Sequence, residues 1–166
     1  MGPCIRPMGP EDLDPLLDIV RRTGMFSADE VDIAYELMDI WLNKPGQKDY
    51  IIWTAEMDGV PVGYVCYGPT PATQTTYDLY WIAVEPRLQG KGFGRQLLRF
   101  AEGAIHKLGG RLVIIETSST PKYEPTRAFY LRNGYAVEAS IKDFYSSGDD
   151  RLIFTRRMAE KEGGAA

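Results

Sequence analysis

The sequence predicts an α/β (α+β) fold: a central mixed, mostly antiparallel sheet of six to seven strands, with helices on both faces. Three observations point there. Period-two and helical stretches alternate in the order β-α-α-β-β-β-α-β-α-β-β. The dipeptide Asp58-Gly59 joins two strand patterns as an antiparallel hairpin. Strand patterns at 77–84 and 112–117, by contrast, are joined through a helix and should run parallel.

Cys4–Met8 reads as a short apolar strand limited by Pro7 and Pro10. From Glu11 to Arg22, Leu13, Leu16, Leu17, Ile19 and Val20 share one helical face. Acids come early and Arg21 and Arg22 late, as the helix dipole prefers, and Gly24 ends the pattern. Ser27 followed three residues later by Glu30 is a capping box, which opens a second helix to about Asn43. Its inner face holds Val31, Ala34, Leu37, Met38, Trp41 and Leu42. Strands follow at Tyr50–Met57 and Val60–Tyr67, then a loop at Gly68–Thr76 and a strand at Tyr77–Val84. Helical period returns from Phe93 to Leu108 and stops at Gly109-Gly110. Leu112–Thr117 opens on the apolar run Leu112–Ile115, so a central strand buried on both faces is expected. A short helix at Pro125–Arg132 ends at Asn133-Gly134. Strands Ala136–Tyr145 and Arg151–Met158 flank a turn at Ser146–Asp150, and a flexible tail is expected over 159–166.

At 166 residues, with no repeat or linker, the chain is expected to form a single domain over 1–166 with a core of about 4–158. Composition is that of a globular protein, 44% hydrophobic and 25% charged, which excludes a disordered chain. No apolar run approaches the ~20 residues of a membrane span, and the first ten residues lack the apolar core of a signal peptide. No membrane partner is therefore expected, and the location is expected to be cytoplasmic. Nineteen Lys and Arg against 23 Asp and Glu argue against a nucleic-acid partner and favour cationic ones. Cys4 and Cys66 make no metal spacing and His106 is alone, so no metal is expected.

The most informative stretch runs from Pro86 to Arg95. Gly90, Gly92 and Gly94 stand between a strand and a helix, where bare amides and the helix N-terminus make an anion site. Arg87, Lys91 and Arg95 gather at this positive dipole end, and no acid follows before Glu102. A bound phosphate or pyrophosphate would offset that cost. The absence of Gly-Lys-Ser/Thr excludes a Walker loop, and the spacing is not that of a dinucleotide fold.

Gln89-x-x-Gly92-x-Gly94 resembles the Gln/Arg-x-x-Gly-x-Gly/Ala motif of the GNAT superfamily of N-acetyltransferases. Its setting is similar as well: the lead-in Ile82-Ala83-Val84-Glu85-Pro86, the helix through Leu97-Leu98, and Ala128-Phe129-Tyr130-Leu131-Arg132-Asn133-Gly134-Tyr135. The resemblance covers nearly the whole chain. It implies acetyl transfer from acetyl-CoA to an amine acceptor, with Gln89, Gly90, Lys91, Gly92, Phe93, Gly94 and Arg95 cradling the pyrophosphate. It also implies that the pantetheine arm pairs along Ile82, Ala83 and Val84, with an oxyanion donor near the Ile82 N–H. Tyr130 falls where the family keeps its general acid. Two carboxylates match family positions for the base, Asp78 and Glu116, and a water chain through Tyr80 is a third route. Glu116 ends an apolar strand, where partial burial could raise its pKa.

One position departs from the family pattern: Tyr123 stands where an asparagine often touches pantetheine, after a lengthened loop at 118–122. The acceptor rim implied by the resemblance comprises Met25, Phe26, Tyr35, Asp143, Phe144, Tyr145, Asp149 and Asp150. Single aromatics such as Tyr35 and Phe144 can equally be core. A homodimer is left open. The alternatives to N-acetyl transfer are another acyl donor or an oxygen acceptor on the same fold, and a catalytically silent acyl-CoA-binding domain.

Overall fold

A computed structural model describes residues 2–159. Its elements are β1 (Cys4–Pro7), α1 (Leu13–Arg22), α2 (Ala28–Asn43), β2 (Ile51–Met57), β3 (Val60–Pro69) and β4 (Thr76–Val84). They continue with α3 (Phe93–Lys107), β5 (Leu112–Ser118), α4 (Glu124–Arg132), β6 (Ala136–Ser146) and β7 (Asp149–Arg157). The strands make one seven-stranded sheet in the order β1-β2-β3-β4-β5-β7-β6. The described register is antiparallel except where β4 meets β5. The mixed, mostly antiparallel sheet read from the sequence is thus the one observed. The tail expected at 159–166 lies, from residue 160 on, outside the described residues.

The chain divides into two compact units. The first comprises the residues up to Pro69 together with Leu79–Ala101. On one face of its strands, Leu16, Leu17, Ile19 and Val20 of α1 and Val31, Ala34 and Met38 of α2 pack with Ile52, Tyr64, Cys66 and Ala83. On the other face the front half of α3 approaches. The Phe100 and Trp53 rings lie 4.8 Å apart, and a Cβ built on Gly63 would meet Leu97 at 3.4 Å. Strand β3 lies between these layers, and every residue from Val62 to Gly68 is buried. Ser27 caps α2 by accepting the Glu30 amide at 3.2 Å. The start of the first predicted helix tightens into a 3₁₀ turn, Pro10–Asp12. There the fully buried Asp12 carboxylate accepts from Arg6, the Gly9 amide and the Thr54 hydroxyl.

The second unit comprises Thr70–Asp78 and the chain from Glu102 onward. The start of β4 pairs in parallel with β5, Thr76↔Leu112 to Asp78↔Ile114. Strand β5 then pairs antiparallel with β7 along its whole length, and β6 lies outside β7. The Tyr130 ring of α4 covers one face, 6.1 Å from Phe154 and 5.9 Å from Tyr135. Beneath it the buried Glu102 carboxylate accepts from Tyr135 at 3.0 Å and from Arg156 at 2.6 Å, so this interior charge is matched.

Two details correct the sequence reading. Strand β5 is not buried on both faces: Val113, Ile115 and Thr117 are buried, Leu112 and Ile114 only half-buried, and Glu116 exposed. The residues opposite Ile115 and Val113 meet α4 and the buried carboxylate, whereas Glu116 and Ile153 pair on the other face. It is β3 that is enclosed on both sides. The last turn also tightens to Ser147-Gly148, because Gly148 at φ +81° lets β7 begin at Asp149.

Candidate functional site

The glycine-rich turn belongs to the first unit. After β4 the chain makes a 3₁₀ turn at Pro86–Leu88, then Gly90 and Gly92 adopt φ of +75° and +89° before α3 begins at Phe93. A Cβ at either glycine would meet nothing within 4 Å. These glycines are therefore needed for backbone conformation rather than for room, and the space beside them is open to a ligand. Gly94, by contrast, is already helical, the second residue of α3. The Gln89 side chain donates to the Val84 carbonyl at 3.2 Å and closes the turn on itself.

Arg87, Lys91 and Arg95 are exposed and have no ion-pair partner among the described residues. No acid occupies the first turn of α3. Three unneutralised cations at a helix N-terminus repel the dipole and one another, and an anion there would relieve both. Just upstream, Glu85 is neutralised by Arg22 of α1 at 2.6 Å, so it leaves the cationic cluster unopposed. That pair, with a separation of 63 residues, had no short-range signal in the sequence.

Along the rest of β4 in this unit, Ala83 and Val84 are buried and Ile82 half-buried. Trp81 stacks with Phe26 at 4.7 Å, and Tyr80 meets Tyr50 edge-on at 5.4 Å. The Tyr64 hydroxyl and the Trp81 Nε1 are buried without a hydrogen-bond partner among the described residues. Tyr35 is 47% exposed, which removes the reading of it as core.

The other predicted residues lie in the second unit. Asp78 is half-buried and accepts from the Thr70 hydroxyl at 2.7 Å. It pairs with Ile114, and alternation puts Glu116 on the same face one pair farther along β5, about 6.6 Å on at the usual strand rise. The two candidate carboxylates thus share a sheet face. The Glu116 side chain is 37% exposed, so it is partly buried, and it forms an ion pair with Arg151 of β7.

Tyr130 approaches from the opposite face, through the Phe154 and Ile115 side of the sheet. It is buried, and burial pushes its phenol well above the ordinary tyrosine value. No hydrogen bond ties its hydroxyl to another described residue. A buried tyrosine normally spends its hydroxyl on the protein, so an untethered one is available to a ligand.

The predicted rim divides in two. Asp143, Asp149 and Asp150 accept from the Gly148 amide, the Ser118 hydroxyl and the Asp143 amide, so these acids shape the hairpin. Phe144 and Tyr145 are 47% and 48% exposed and stack edge to face, so Phe144 is not core. Sequence reasoning missed Arg151, whose guanidinium lies 4.5 Å above the Phe144 ring. Its place opposite Ser118 and Ile141 is set by register, which no local motif announces. Tyr123, the departure from the family pattern, is half-buried at the end of a 3₁₀ turn. Arg127 ties the loop before it to the Ser118 and Thr120 carbonyls at 2.9 and 2.8 Å. Among the described residues no group of three or more His, Cys, Asp or Glu side chains is placed to hold a metal ion.

A sequence model of the family described as "Acetyltransferase (GNAT) domain" matches residues 48–137. A GNAT-family crystal structure from Desulfovibrio desulfuricans is 43% identical, with a TM-score of 0.87 over 94% of this chain and 99% of that one. The N-acetyltransferase YvbK of Bacillus subtilis, itself uncharacterized, is 28% identical over 89% of this chain and 84% of its own. The PaiA N-acetyltransferase of Thermoplasma acidophilum, solved in complex with coenzyme A, shares the fold at 21% identity. Its TM-score is 0.72 over 95% of this chain and 100% of that one.

Proposed function

Because this chain belongs to the GNAT acetyltransferase family and is an acyltransferase, we propose that it moves the acetyl group of acetyl-CoA to an amine by direct attack in a ternary complex. The observation that carries the reading is the left-handed turn at Gly90 and Gly92, open to solvent and ringed by Arg87, Lys91 and Arg95 without anionic partners. That chemistry fits a pyrophosphate. The coenzyme, when bound, supplies an electrophilic thioester carbonyl and a thiolate leaving group.

In this reading the amides of Gln89–Arg95 hold the pyrophosphate, and the backbone of Ile82, Ala83 and Val84 pairs with the pantetheine arm. The Ile82 N–H donates to the thioester oxygen as negative charge builds on it. A carboxylate, Glu116 or Asp78, removes a proton from an amine whose ordinary pKa is ~10, and the freed nitrogen attacks the carbonyl carbon. The carbon–sulfur bond breaks, Tyr130 gives its proton to the departing sulfur, and the second proton that the nitrogen sheds as it becomes an amide restores the phenol. The resting phenol is pushed up by burial. The raised value keeps the proton on Tyr130 until the sulfur departs.

Release of CoA thiol with a library of amines tests the reading. Thiol release should depend on the amine, and Tyr130→Phe should lower kcat about 100-fold while acetyl-CoA affinity stays within a few-fold. Unchanged turnover in that variant would remove Tyr130 as the acid. Tight acetyl-CoA binding with no thiol release across the library would favour a silent acyl-CoA-binding domain.

A further inference from the structure

The face of the second unit that bears Glu116 holds a feature the acetyl-transfer reading does not use. Arg151 is a half-buried guanidinium, its side chain 23% exposed, laid flat 4.5 Å above the exposed Phe144 ring. Its charged partner among the described residues is Glu116, and its buried Nε has no hydrogen-bond partner there. A guanidinium carries five N–H donors in a rigid fork that matches a carboxylate, and pinning it on an aromatic ring removes much of the ordering cost of using them. Arg151 is thus a preorganised and under-used anion receptor, sharing a sheet face with both candidate bases.

We propose that Arg151 binds a carboxylate on the acceptor, and hence that the acceptor is an amine carrying a carboxylate beside it, an amino acid or an amino-acid-like molecule. The inference rests on the acetyl-transfer reading and on Glu116 meeting the acceptor nitrogen. While Arg151 engages Glu116, one oxygen of that carboxylate is committed. An arriving carboxylate gives the guanidinium a second partner and leaves Glu116 oxygens for the ammonium group. The ammonium nitrogen and the carboxylate carbon of an α-amino acid are separated by two bonds, so both charges stay close enough to face one ion pair. The two dipoles can therefore lie head to tail, each charge facing its opposite. A plain amine would gain the Glu116 contact but would have to separate it from Arg151 with nothing in return. The exposed Phe144 and Tyr145 rings, stacked at 5.0 Å, give an apolar wall for the acceptor side chain.

The test is a set of matched acceptors: phenylalanine, phenylalaninamide and phenethylamine; histidine and histamine; lysine and cadaverine. Thiol release is followed for each, with acetyl-CoA binding measured separately by calorimetry. The wild-type protein should favour the carboxylate-bearing member by about tenfold or more in kcat/KM, the loss expected for one charge-assisted hydrogen bond. Arg151→Met should abolish that preference by lowering turnover of the carboxylate-bearing member while its amide or decarboxylated counterpart holds its rate or gains, freed from having to separate Glu116 from Arg151. Arg151→Lys should restore part of the preference. A purely structural ion pair would lower both members alike. Equal or better turnover of the plain amines by wild type, or a parallel fall of both members in Arg151→Met, overturns the inference. Acetyl-CoA binding with no turnover of any member also overturns it while sparing the coenzyme site. Absence of acetyl-CoA binding overturns the acetyl-transfer reading and this inference together.

Discussion

Tyr130, Glu116 and Asp78 differ in how much of their setting is local. Tyr130 was legible in the sequence because the segment around it, Ala128 to Tyr135, is contiguous and ends in Asn133-Gly134, where Gly134 adopts φ +90°. The burial of its ring was not, since that depends on Phe154 from another strand. The two carboxylates could be named as candidates but not ranked, because their surroundings come from register: Thr70 bonds to Asp78 and Arg151 pairs with Glu116. We propose Glu116 as the base, on the face where it meets Arg151, with Asp78, half-buried with the Thr70 hydroxyl on it, as the alternative. Glu116→Gln should lower kcat about 100-fold and flatten the acidic limb of the kcat/KM profile, with Asp78→Asn within a few-fold of wild type. The reverse ranking would transfer the role to Asp78.

At the scale of elements, the turn between β4 and α3 is where a local pattern and a three-dimensional property coincide. Alternate glycines, three cations and the return of helical period can all be read from ten residues, and the open left-handed turn is their direct expression. Gly92→Val should weaken acetyl-CoA binding by more than tenfold, because a β-branched residue at φ +89° costs ~1–3 kcal/mol and displaces the turn. Gly59→Val is the control. It faces the same strain at φ +79° in the β2–β3 hairpin, so it should lose similar stability and keep its coenzyme affinity. Equal binding by both variants would separate the turn from the coenzyme. The elements themselves were legible because Gly, Pro and period changes punctuate them. The layering was not. An unbroken apolar run suggested that β5 was the enclosed strand, yet composition within a strand does not say how many helices cover it. Strand β3 contains Gly63 and Gly68 and is the one enclosed on both sides.

For the whole molecule, pH should bound stability from both sides. Burial pushes Asp12 up, but hydrogen bonds from Arg6, the Gly9 amide and Thr54, with the Arg6 charge, more than reverse this and hold it below the ordinary carboxylate value. A depressed folded value contributes stability that is present above about pH 4 and lost as pH falls through the folded pKa. Tyr64, Cys66, Tyr130 and Tyr135 are pushed up, chiefly by burial, so the unfolded chain ionises first and stability falls once pH passes about 8.5 for the thiol and about 10 for the phenols. Urea unfolding should therefore show a plateau from about pH 5 to 8 with losses on both sides. Asp12→Ala should cost about 2 kcal/mol, or roughly 4–8 °C in Tm, and should flatten the acidic side. An acidic limb unchanged in that variant would move its cause elsewhere.

The two units are interleaved along the chain, with boundaries that fall inside β4 and inside α3. No single cut therefore releases either unit as a continuous piece. The shortest uninterrupted fragment that holds all of the first runs through Ala101, and it carries Thr70–Asp78, which includes Thr76–Asp78, the part of β4 that pairs with β5. That fragment would present an unpaired strand to any other chain in solution. A split reporter, a truncation series or a deletion in the gene thus inherits an orphaned edge, and we propose that the molecule must be made and handled as one folding domain.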